Sequence, residues 1–103
     1  MWQKGGSSGP MTFADAEQYV HRINGDKFAG FNDWRLPTVE EAISLLEPQA
    51  YDRFHIDPEF ERGINFIWTS DWATDGRIWM LYFNDGILGL EMDRFNAWVR
   101  VVR

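Results

Sequence analysis

The chain has 103 residues, enough for one hydrophobic core and not two. Sixteen Asp and Glu stand against ten Lys and Arg, a net charge of −6, with no basic stripe to neutralise phosphates; nucleic acid and anionic membrane surfaces are therefore excluded as partners. The absence of cysteine removes disulfides, thiolate metal sites and cysteine nucleophiles, and no apolar run is long enough for direct membrane insertion.

Residues 4–10, Lys-Gly-Gly-Ser-Ser-Gly-Pro, read as a flexible loop; they lack the spacing and the Lys-Ser/Thr end of a phosphate-binding loop. Thr12 is placed to cap a helix, with Asp15 at the third position. Phe13, Ala16, Tyr19, Val20 and Ile23 share one face, and Asn24-Gly25 forms the expected C-cap. His21 falls on the polar side with no second ligand at i+4, which disfavours a metal there. Met1-Trp2-Gln3 reads as the interior of a longer chain, and any export signal would lie elsewhere in it.

The chain is organised around residues 30–42. Gly30 and Asn32-Asp33 supply turn chemistry, and Pro37 holds Leu36 extended. Thr38 with Glu41 is a capping box for a second helix that is expected to end at Glu47-Pro48, its face made by Val39, Ala42, Ile43 and Leu46. Arg35 alternates against Trp34 and Leu36, so it points away from them and braces the joint through Glu40 or Glu41.

Residues 49–65 show neither period, and a long loop pinned by Tyr51, Phe54, Ile56 and Phe60 is expected. His55 and Asp57, with Glu59 and Glu61 nearby, raise the question of a metal, but their spacing matches no ligand pattern. From residue 66 the period becomes two. Strands are expected at Phe66–Ser70, Ile78–Phe83, Ile87–Met92 and Asn96–Val102, with turns at Asp75-Gly76 and Asn84-Asp85-Gly86. In the second of these, Trp79, Leu81 and Phe83 occupy one face and Ile78, Met80 and Tyr82 the other, so it is predicted to be central and covered on both sides. Two helices, a long loop and an antiparallel meander make a single α+β domain over residues 1–103.

Several blocks recur together in one order: Met1-Trp2-Gln3-Lys4, the helix from Thr12, Trp34-Arg35-Leu36-Pro37-Thr38, Ile67-Trp68-Thr69-Ser70, Trp79 with Phe83 and Gly86, and Val99-Arg100-Val101-Val102-Arg103. In this the chain resembles the bacterial domain family, long known as a domain of unknown function, found at the C-terminus of the Legionella collagen-like adhesin. The resemblance covers nearly the whole chain. It implies a C-type lectin-like fold, with two helices on a twisted antiparallel sheet and a long irregular loop. It also implies attachment to larger exported or signalling proteins, including transmembrane kinases, so an extracytoplasmic or cell-surface setting is expected. The adhesin member binds sulfated glycosaminoglycans. Family members often carry cysteines in the first helix and near the end, where Val20 and Val101 stand here.

The Arg-Leu-Pro-Thr run is also similar to formylglycine-generating enzymes, but those need a cysteine pair that this chain lacks. Glu47-Pro48-Gln49 is similar to the calcium-binding tripeptide of animal C-type lectins. Here it is expected to end a helix, and Asn32-Asp33-Trp34 comes earlier and in a different order, so no calcium site is assigned. No catalytic constellation is assigned either: Ser70, Asp71 and His55 have no diagnostic spacing, and the Gly-x-Ser-x-Gly elbow is absent.

The candidate ligand-binding residues lie in the loops around the later strands: Asp71, Trp72, Asp75 and Arg77 before the central one, and Asp93 and Arg94 after it, with Asp85 and Phe95 nearby. A Trp face stacks on the C–H side of a sugar while carboxylates and Arg bridge its hydroxyls. The competing reading is that Trp72 caps the core and the charges solvate turns. Trp34, Trp68, Trp79 and Trp98 are assigned to the core. The expectation is a recognition module, neither enzyme nor cofactor-dependent, for a glycan or a protein surface. The alternative is a structural or oligomerisation domain, for which an exposed apolar patch of several hundred Å² would argue.

Overall fold

The computed structural model describes residues 1–51, 54–56, 66–83 and 86–103, with the backbone alone described for 46–51 and 54–56. The fold is α+β. Helix α1 (Phe13–Gly25) is followed by a 3-10 turn (Phe28–Gly30) and a short α2 (Val39–Ile43); then come β1 (Leu46–Tyr51), β2 (Phe54–Ile56), β3 (Phe66–Trp72), β4 (Ile78–Tyr82) and β5 (Ile87–Glu91). β1 and β2 form an antiparallel pair, and β3-β4-β5 form an antiparallel sheet with β4 in the middle.

The predicted two-faced character of the central strand is observed. Ile78 and Met80 enter a core cluster with Phe13, Ala16, Ile23 and Trp68, whereas Leu81 and Phe83 enter a second one with Ala42 and Leu45. α1 therefore covers one side of the sheet, while α2 packs on β3 and β4 from the other. Trp34 and Trp68 are buried as expected; Trp79 and Trp98 are half-buried. Gly89 lies beneath Tyr82, where an added Cβ would come within 2.6 Å of the ring.

The helix ends differ from expectation. Thr12 caps α1 by accepting from the Asp15 N–H at 3.3 Å, but the helix continues through Gly25. Asn24 does not cap it; its side-chain amide brackets the Trp34 backbone, donating to the carbonyl at 2.9 Å and accepting from the N–H at 2.8 Å. The left-handed positions come later, at Lys27, Ala29 and Gly30. The capping box of α2 is present in both directions, yet the helix stops at Ile43 and not at Glu47-Pro48. Pro48 disfavours the α conformation at Glu47. Leu45, not Ile43, enters the core, and the chain turns into β1. Glu47-Pro48-Gln49 thus lies in a strand, and part of the expected 49–65 loop is a β hairpin.

The largest correction concerns the two ends of the described chain. Residues 96–102 form no regular fourth strand. They make isolated bridges instead: Ala97 with Met11, Trp98 with Ile67, and Val102 with both Trp2 and Arg35. The segment 4–10, expected to be flexible, is fastened along this seam. The Ser7 N–H donates to the Val99 carbonyl at 2.9 Å, and the Ser7 hydroxyl accepts from the Val99 N–H at 3.0 Å. Gln3 does the same at Val101, and Arg100 donates to the Gly5 carbonyl at 2.7 Å. Polar side chains here replace ladder partners that an irregular, Gly-rich backbone cannot present.

Because the Val99 N–H is buried, removing its acceptor leaves an unsatisfied donor. Ser7→Ala is expected to lower stability by about 1–3 kcal/mol in urea denaturation. A change within a few tenths would show that the seam does not depend on this hydroxyl.

Candidate functional site

The site begins with an irregularity in β3. Trp68 pairs with Met80 and Trp72 with Ile78, so four steps along β3 oppose two along β4. Such a bulge bends the strand and re-aims its side chains. Buried Thr69 secures it: its hydroxyl donates to the Trp79 carbonyl at 2.7 Å and accepts from the Asp71 N–H at 3.3 Å. Beyond the bulge, Ser70 donates its N–H to the Pro37 carbonyl at 2.8 Å, and the Asp71 carboxylate accepts from the Val39 N–H at 2.7 Å. The strand end is thereby locked to the start of α2.

Trp72 emerges 51 % exposed. Its ring meets Phe13 edge-on at 5.2 Å, and Phe13 meets buried Trp68 in the same way at 5.5 Å, so an exposed indole rests on a buried aromatic stack. Two grooves adjoin it. The larger, about 540 Å³, is walled by Phe13, Glu17 and Val20 of α1, by Arg35, Leu36 and Thr38, and by Ser70 and Trp72. The smaller, about 350 Å³, is bounded by Thr12, Phe13, Ala14 and Glu17, by Trp72, and by Asp93 and Arg94 of the turn after β5. The Phe13 N–H donates to the Asp93 carbonyl at 3.0 Å, tying that turn to the helix start.

The six residues singled out from sequence therefore divide. Trp72, Asp93 and Arg94 come together in the smaller groove. Asp71 is engaged at the start of α2. Asp75 and Arg77 pair with each other in the β3–β4 turn, at 2.8 Å between carboxylate and guanidinium, and line neither groove. The Arg77 backbone N–H first, and its side chain second, hold the Asp75 carboxyl below the usual range. Phe95 packs on the core, and Asp85 lies outside the described residues.

Sequence reasoning missed Glu17. Its signal was present: it lies one turn beyond Phe13 and one before Val20, on the rim of the apolar face. Arg35 braces the joint as expected, its two terminal guanidinium nitrogens donating to Glu41 at 2.6 and 2.7 Å, and it also lines the larger groove.

The whole chain, residues 1–103, matches the sequence model of the Lcl C-terminal domain. It belongs to that family. No curated protein matches the chain. In this Lcl C-terminal domain Val101 is buried in the main core and Val20 packs against the same cluster, so apolar contact occupies both places where the resemblance implies cysteines. Among the described residues, no helix is long and apolar enough to cross a membrane, and no group of three or more His, Asp or Glu is placed to hold a metal. The His55 side chain and residues 57, 59 and 61 lie outside that description.

The Glu41 carboxyl is held at about 2, below its ordinary 4.5, first by the Arg35 guanidinium and then by the Thr38 N–H. A depressed carboxylate contributes stability that is complete above its unfolded value and is lost as pH falls through the folded one. Glu41→Gln is expected to cost about 1 kcal/mol at neutral pH. Urea titrations of the two proteins should converge between pH 4.5 and about 2. A difference that stays constant across that window would show that the pair is not what titrates.

Proposed function

We propose that this domain is a non-catalytic recognition module that binds carbohydrate in the grooves flanking Trp72. The observation that carries the reading is the half-exposed indole, supported from below by Phe13 and flanked by Glu17, Asp93 and Arg94. A rigid aromatic face takes the apolar side of a sugar ring, while carboxylates accept from its hydroxyls and a guanidinium donates to them. The grooves fall within the range of about 300–1,000 Å³ typical of small-molecule sites. A basic pocket built from Arg77 and Arg94 would favour a sulfated ligand, but of these two Arg77 is spent on Asp75 and only Arg94 reaches a groove, while Arg35 in the larger groove is held by Glu41. The local charge thus supports an uncharged glycan better than a polyanion.

A second reading, a contact domain within a larger exported or signalling protein, rests on β5. Among the described residues this strand pairs only with β4, and exposed Ile87 and Met92 bracket it. That open edge could receive a protein surface.

A glycan array probed with the multimerised domain, with and without EDTA, tests the first reading. Binding is expected to survive EDTA and to be lost in Trp72→Ala, which should retain the wild-type melting temperature within a few degrees because the ring is half in solvent. Binding abolished by EDTA would replace this account with a metal-dependent one. Silence across the array would move the function to β5 and a protein partner.

A further inference from the structure

The two grooves share Phe13, Glu17 and Trp72; with Phe13 buried beneath the indole, Trp72 and Glu17 form the ridge between two lobes of one site. We infer that the ligand is an uncharged oligosaccharide of at least two rings, one ring seated in each lobe with Trp72 between them. This rests on the carbohydrate reading above and names the ligand class. The larger lobe is apolar on Val20 and Leu36 with a hydroxyl at Ser70; the smaller carries Asp93 and Arg94 at its far end. Each lobe, at about 540 and 350 Å³, falls within the roughly 300–1,000 Å³ that holds a small ligand. A single ring would leave one of them filled only with water.

The charges define the class. Among the described residues, Arg35, Arg77 and Arg103 are held in ion pairs by Glu41, Asp75 and Asp33, whereas Glu17, Asp93 and Arg94 form none. The unpaired groups lining the lobes are thus two carboxylates and one guanidinium, a net of −1. A polyanionic chain would meet repulsion at Glu17 and Asp93. A hydroxyl-rich neutral chain satisfies all three, donating to the carboxylates and accepting from Arg94. The ridge supplies the apolar contact that rings on either side share.

Isothermal titration of the intact domain with the cellulose-derived and the N-acetylglucosamine series, each from one to four rings, tests the inference. A sulfated oligosaccharide of matching length serves as the charged comparison. Affinity is expected to rise at least about tenfold between one ring and two or three, then level off once both lobes are filled. In Arg94→Ala, which strips the smaller lobe, and in Ser70→Tyr, which obstructs the larger, the ratio of two-ring to one-ring affinity should fall to about one. Both positions are exposed, so the circular dichroism of either variant should match the parent. Equal affinity for one ring and three in the parent would overturn the two-lobed site while leaving a carbohydrate function standing. Tighter binding of the sulfated chain than of its neutral counterpart would overturn the uncharged class. No binding to either series would overturn the inference, and the glycan array then decides whether the carbohydrate reading falls with it.

Discussion

Everything in this fold hangs on the seam formed by residues 97–103. Ala97 exchanges backbone hydrogen bonds with Met11, Val102 exchanges them with Arg35, and Trp98 bonds Phe66 and Trp68 in β3. One short stretch thus ties the segment before α1, the joint before α2 and the edge of the sheet. It is almost wholly buried, so each of its N–H and C=O groups needs a partner inside the protein. Where the opposing backbone is irregular, Gln3 and Ser7 provide the partner from their side chains. Arg100, buried among these groups, donates to the Gly5 and Lys4 carbonyls and lies over the Phe83 ring at 5.7 Å, joining the seam to the second core cluster.

The candidate site is a consequence of that arrangement. With the edge of β3 held by Trp98 as far as Trp68, the strand departs from its ladder only beyond that point, where Thr69 absorbs the mismatch. Pro37 and Val39 then capture Ser70 and Asp71, which leaves Trp72 as the first large apolar side chain of β3 to face solvent. α1 is held against the same region by Phe13, whose ring touches both Trp68 and Trp72 and whose N–H bonds Asp93. The walls of the grooves therefore come from rigid elements cross-linked to one another, the preorganisation that a recognition surface needs.

The charges sort in the same way. Asp33 binds Arg103, whose guanidinium also lies 3.6 Å from the Phe31 ring, and Glu41 binds Arg35 across the joint. Asp75 and Arg77 close a turn. These pairs fix local geometry at exposed places, where each is worth little in energy. Glu17, Asp93 and Arg94, which form no such pair among the described residues, line the grooves beside Trp72.

Much of this was legible beforehand because it depends on short-range chemistry. The capping box of Thr38 and Glu41, the apolar face of α1, the two-sided burial of β4 and the outward turn of Arg35 all follow from spacing within one element. Trp72, Asp93 and Arg94 could be suspected from residue type and loop position. What the sequence alone could not reveal were the features that depend on partners far away in the chain. Asn24 has the chemistry of a helix cap and is used instead on Trp34, ten residues on. The Gly-Ser stretch has the composition of a flexible loop and is ordered by Val99 and Arg100, more than ninety residues away. Asp71 resembles a ligand-binding acid and is consumed by the α2 backbone. Glu17 becomes a site residue only because the bulge in β3 carries Trp72 to its side. Local periodicity determined the elements and their buried faces; tertiary hydrogen bonding decided which polar side chains were spent on the fold and which remained for a ligand.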